Sequence, residues 1–152
     1  MGSIKLTRSA KYHLYTIDVS YLNNSQPCPF TAIIDTGSEK SSINEATAKK
    51  LGISKDGLPR RDYAGVGGSI SSPVIESFRL WFMAEGELKN VALREVAIHD
   101  PIKRKVTKKT GFTVQRGFTS YESPNILGLD FLEGLNATLV LSPGGGVSEI
   151  RW

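Results

Sequence analysis

The chain has 152 residues, 39% of them hydrophobic, and a net charge of +4. That is the length of one domain with enough apolar side chains for a core, and its basicity is weaker than the footprint of a typical nucleic-acid binder. A single cysteine, Cys28, excludes an intrachain disulfide and argues against a zinc site. No apolar stretch is long enough to span a membrane and no signal-peptide pattern opens the chain, so a reducing, cytoplasmic setting is expected. Met1-Gly2-Ser3 reads as a cloning scar, so native targeting segments stay open. Fifteen glycines and seven prolines favour many turns and short strands, and hence an all-β class.

In chain order, residues 4–11 read as an edge strand or a loose arm. Residues 12–22 alternate: Tyr15, Ile17, Val19 and Tyr21 fall on one face, and Thr16, Asp18 and Ser20 on the other, the pattern of a half-buried strand. Asn23 to Pro27 forms a turn, and Cys28 to Ile34 returns as the next strand. An apolar run, Ala32-Ile33-Ile34, then stops at Asp35-Thr36-Gly37-Ser38. Asn44 suits a helix N-cap, Glu45 the positive helix start, and Lys49 and Lys50 its negative end. Gly52 follows as a stop, so a helix is predicted over about 45–51.

Residues 54–62 read as loop. Gly65-Val66-Gly67-Gly68 lies between β-formers and suggests a mobile hairpin; neither nucleotide-binding glycine pattern is present. Val74 to Met83 and Val91 to Ile98 are predicted strands. Residues 100–123 form a basic insertion, read as a solvated loop rather than a nucleic-acid surface, because its aromatics are not regularly interleaved. Ile126-Leu127-Gly128 leads into helical spacing at Leu129, Leu132 and Leu135. Thr138 to Leu141 and Val147 to Trp152 read as the last strands. No repeat or linker divides the chain, so residues 1–152 are treated as one domain.

The chemistry points to Asp35. A carboxylate at the end of a buried strand must be paired, hydrogen-bonded or neutralised, and such a place suits acid–base work. The plainer reading is a turn in which Asp bonds its own backbone and Gly takes a positive φ. Rival sites are weaker. His13 is read as a polar-facing strand residue and His99 as a strand-end residue. No serine sits in a Gly-x-Ser-x-Gly elbow, Cys28 reads as a packing residue, and Asp130 as a helix-start acid.

In this order, three landmarks carry a resemblance. They are the strand into Asp35-Thr36-Gly37-Ser38, the glycine-rich Gly65-Val66-Gly67-Gly68, and Ile126-Leu127-Gly128 followed by Asp130-Phe131-Leu132. The chain resembles the retropepsins, the retroviral-type aspartic proteases and their cellular relatives, over about residues 12–141. The resemblance implies a closed, mostly antiparallel β-barrel with one or two short helices, and a homodimeric aspartic endopeptidase. The chain holds one Asp-Thr-Gly, whereas the chemistry uses two carboxylates sharing a proton, so a second copy would supply the other.

By position, Asp35 is then the catalytic acid and base. Thr36 locks the two active-site loops across the dimer, and Gly37 leaves room for substrate backbone. Ser38 is available to the outer oxygen of Asp35. Gly65, Val66, Gly67 and Gly68 form the flap over an extended peptide. No cofactor or metal is implied; the expected partners are a peptide or protein substrate and a second copy, without nucleic acid. Two features depart from the retroviral pattern. Leu129 stands where those enzymes usually carry an Arg that pairs with an acid at the place of Glu39, and the chain continues past Leu141, where their terminus interleaves across the dimer. The basic insertion and the missing Arg keep an alternative in view: a retropepsin-like dimeric binding or scaffold domain with little or no proteolysis.

Overall fold

In a computed structural model the structure is described for residues 2–10, 13–65 and 68–152. The elements run β1 (Ser3–Lys5), β2 (Thr7–Arg8), β3 (Tyr15–Asn23), β4 (Gln26–Ile34), β5 (Ser42–Asn44), α1 (Glu45–Lys50), β6 (Arg60–Gly65), β7 (Gly68–Ala84) and β8 (Glu87–His99). They continue with β9 (Ile102–Thr110), β10 (Thr113–Tyr121), β11 (Ile126–Leu127), α2 (Leu129–Leu135), β12 (Thr138–Val140) and β13 (Glu149–Arg151).

Alternation builds the centre of the molecule. Ile17 and Val19 of β3, Phe78, Leu80 and Phe82 of β7, and Val91 and Leu93 of β8 are buried, while their neighbours Asp18, Arg79 and Ala92 are exposed. Tyr21 stacks on Phe78 with ring centroids 4.9 Å apart, and Phe131 of α2 meets Phe82 edge-on. Eight strands form one sheet in the order β2-β3-β4-β11-β5-β8-β7-β6. Most neighbours are antiparallel; β11 on β4 and β5 on β8 are parallel. The mostly antiparallel β class is as expected; among the described residues β3 also meets β7 at one pair, Ser20 opposite Trp81, which does not by itself make the expected closed barrel.

Four expectations change. The basic insertion is an ordered antiparallel hairpin, β9–β10, forming a two-stranded sheet of its own. The segment 54–62 gives way to strand at Arg60, and the strand expected from Val74 begins at Gly68. His13 lies in a turn before β3 at φ 52, with its N–H donating to the Ser9 carbonyl, rather than in a strand.

Both ends of the chain enter a third sheet, of three strands. β13 lies between β1 and β12, antiparallel to each. Gly2 and Trp152 exchange backbone hydrogen bonds of 2.8 and 3.0 Å, and the Trp152 ring packs edge-on against Phe82.

Candidate active site

β4 carries the site. Its last three residues, Ala32, Ile33 and Ile34, are buried, and Asp35 follows where the strand leaves the core. The Asp35 backbone stays in the sheet, its N–H donating to the Leu127 carbonyl at 3.0 Å. Its side chain turns back on its own loop, with Oδ1 accepting from the Gly37 N–H at 2.9 Å. Oδ2 has no hydrogen-bond partner among the described residues. The carboxylate is half-buried, so one oxygen is fixed and the other is uncommitted.

The turn differs from a simple Asp-Gly turn in one respect. Gly37 does not take a positive φ; a Cβ there would stand 3.1 Å from Asp35 Oδ1. Glycine is favoured here by the close approach of the carboxylate, not by a left-handed backbone. Thr36 is exposed beside it. Ser38 does not reach the Asp35 carboxylate: its hydroxyl donates to the Lys40 carbonyl at 2.7 Å, and its N–H donates to the Asp35 carbonyl.

Behind this loop lies a clamp that the sequence did not reveal. Ser41 is fully buried; its hydroxyl donates to Asp130 Oδ1 at 2.6 Å and accepts from the Gly128 N–H at 3.0 Å. The Ser41 N–H donates to the other Asp130 oxygen at 3.0 Å. Asp130 lies in the first turn of α2, the helix-start position expected of it, and also accepts from the Phe131 N–H. Two backbone bonds complete the clamp, Leu129 N–H to the Ser38 carbonyl and Asp130 N–H to the Glu39 carbonyl. Leu129 packs against the core, so the loop is tied to α2 by these bonds where a retroviral Arg would use an ion pair. Gly128 sits so close that a Cβ would lie 2.5 Å from the Ser38 carbonyl oxygen.

Two asparagines hold β11 between β4 and β5. Asn125 Nδ2 donates to the Thr31 carbonyl, and its Oδ1 accepts from the Asn44 N–H. Asn44 is the expected N-cap of α1: its side chain accepts from the Thr47 N–H at 2.7 Å and donates to the Ser123 carbonyl.

A cleft of about 810 Å³ opens beside the Asp35 loop, lined by Gly37, Ser38, Asp62, Tyr63, Glu95 and His99 among others. The β6–β7 hairpin forms one wall, with Gly65 paired to Gly68 and Gly68 at φ +123. Val66 and Gly67 lie outside the described residues. Tyr63 donates to Glu95 Oε1, and burial together with the Glu95 charge pushes its phenol up to about 12. The His99 ring lies edge-on to Tyr63 with Nδ1 3.3 Å from the Ser72 hydroxyl, and burial holds it below its ordinary value. A second cleft, lined by Ile17, Trp81 and Met83, contains no residue of the Asp35 loop. Among the described residues no group of His, Cys, Asp and Glu is arranged to hold a metal ion.

Comparison with known proteins agrees with this geometry. A family model described as aspartyl protease matches residues 19–131, which take in the Asp35 loop, the β6–β7 hairpin and the Gly128–Asp130 clamp. Among solved structures, a retropepsin-like aspartic protease from Rickettsia conorii superimposes with a TM-score of 0.61 at 16% identity, over 99% of this chain and 91% of that one. The shared fold is therefore retropepsin-like. No curated protein matched the sequence.

Proposed function

Because the chain belongs to the aspartyl protease family, we propose that it hydrolyses peptide bonds as a homodimer, with water activated between two Asp35 carboxylates, one from each copy. The observation that carries this reading is the half-buried Asp35 with Oδ1 held by Gly37 and Oδ2 uncommitted among the described residues. Two such carboxylates facing each other share one proton. The ionised member takes a proton from water as it attacks, and the protonated member donates to the oxygen of the scissile carbonyl. Gly37 brings no side chain to the carboxylate, which leaves space for an extended peptide. Exposed Thr36 is available for a contact between the two loops.

In this reading the β6–β7 hairpin is the flap. Gly65 pairs with Gly68 at its end, and Ile70 of β7 is exposed. A strand-like peptide bound beneath it gains affinity from main-chain hydrogen bonds, and the cleft beside Tyr63 and Glu95 reads one of its side chains.

The test is cleavage of an unfolded protein across about pH 3 to 7 by wild type and Asp35→Asn, at two enzyme concentrations. Cleavage by wild type alone, with specific activity rising with concentration, supports the proposal. Equal cleavage by both proteins sinks the role of Asp35. A folded dimer that cleaves nothing supports the alternative of a binding or scaffold domain.

A further inference from the structure

The β9–β10 hairpin is unlike the rest of the surface in two ways at once. It holds six of the 19 Lys and Arg residues and none of the 15 Asp and Glu, so the remainder of the chain is net acidic at −2. It also holds Ile102, Val106, Phe112, Val114, Phe118 and Tyr121, six of the twelve large hydrophobics that the described residues leave exposed. Every residue of both strands is exposed. A lone two-stranded ribbon is marginal in water, and one that wets so many apolar groups gains by being covered.

The register sorts these side chains. Lys103 lies opposite Ser120, Lys105 opposite Phe118, Thr107 opposite Arg116, and Lys109 opposite Val114. Alternate pairs share a face, so one side of the ribbon carries four cations around Phe118 and Val114. The uncharged turn Thr110-Gly111-Phe112-Thr113 carries Phe112 at its tip, fully exposed. A nucleic acid would neutralise the cations and leave the apolar groups wet. An apolar protein groove would cover the hydrophobics and strand the cations. A bilayer interface with acidic headgroups satisfies both.

We propose that the β9–β10 hairpin docks this protein on an anionic lipid surface. Phe112 and Phe118 enter the boundary between headgroups and acyl chains, and Lys103, Lys105, Lys109 and Arg116 meet the lipid phosphates and carboxylates. Both roots of the hairpin are fastened to the body of the protein. Asp100 accepts from Lys55 at 2.9 Å, and the Ser123 carbonyl accepts from Asn44 at 2.7 Å. Docking there would hold the whole molecule at the surface.

The experiment is co-sedimentation of the full chain with vesicles of phosphatidylcholine alone and of phosphatidylcholine mixed with phosphatidylserine. Wild type is compared with Phe112→Ser and with the fourfold variant Lys103→Gln, Lys105→Gln, Lys109→Gln, Arg116→Gln; thermal melting checks that each is folded. The expected result is binding to anionic vesicles only, weakened by salt, reduced at least tenfold in the fourfold variant and about fivefold in Phe112→Ser. Failure of wild type to bind anionic vesicles, equal binding to neutral ones, or binding unchanged in either variant overturns the proposal. Binding of a single-stranded RNA without vesicle binding would do so in favour of a nucleic-acid partner.

Discussion

Replacing Gly128 by alanine would drive a methyl group into the Ser38 and Lys40 carbonyls, 2.5 and 2.9 Å from the new Cβ. Those are backbone atoms of the Asp35 loop, so the loop itself must shift. Gly128→Ala is expected to cost about 1–3 kcal/mol and to lower peptide cleavage together with the melting temperature. Ser41→Ala tests the same clamp from the other side. It leaves Asp130 without its hydroxyl donor and the Gly128 N–H without an acceptor, at about 1–3 kcal/mol, read by denaturant unfolding. His99 gives a prediction of sign. Burial depresses its folded value below 6.5, so as pH falls through 6.5 the unfolded chain takes up a proton that the folded chain resists. Stability from this group is therefore lost on acidification. Wild type should melt progressively earlier from about pH 7 to about pH 5, and His99→Gln should flatten that slope. Asp35 was legible in the sequence because an apolar strand ending in a lone acid is a local pattern. Its supports were not: Ser41 and Asp130 are separated by 89 positions, and nothing near either residue announces the other.

Elements were legible where burial imposes a period. β3 alternates because one face meets the core, β4 ends in an apolar run because Ala32, Ile33 and Ile34 are all buried, and α1 was bounded by Asn44, Glu45 and its terminal lysines, with helix Glu45–Lys50 inside the predicted span. β5 has three residues, and β11 two, too few to show a period. The β9–β10 hairpin was missed for the opposite reason. None of its side chains is buried, so its β-formers are interrupted by lysines, and composition suggested a loop. A two-residue strand such as β11 depends on its asparagine brackets. Asn125→Ala removes the Thr31 and Asn44 contacts together and should lower stability by about 2 kcal/mol, and Asn44→Ala, which loses the N-cap, by at least about 1 kcal/mol. Thermal melting measures both.

On the scale of the whole molecule, the sequence raised the question of what the residues beyond Leu141 do. They return as β13, between β1 and β12 of the same chain, and Ile150 is completely buried. The pairing that retroviral enzymes complete with a neighbour's terminus is met here within one copy. If the active species is the proposed homodimer, serial dilution should abolish cleavage while far-ultraviolet circular dichroism and the tyrosine and tryptophan fluorescence stay those of the native protein. Parallel unfolding and inactivation on dilution would contradict this. The self-contained terminal sheet thus separates folding from assembly. Under the proposed homodimer, each copy would stand folded but inactive, and the local concentration of the chain would set how much of it is enzyme.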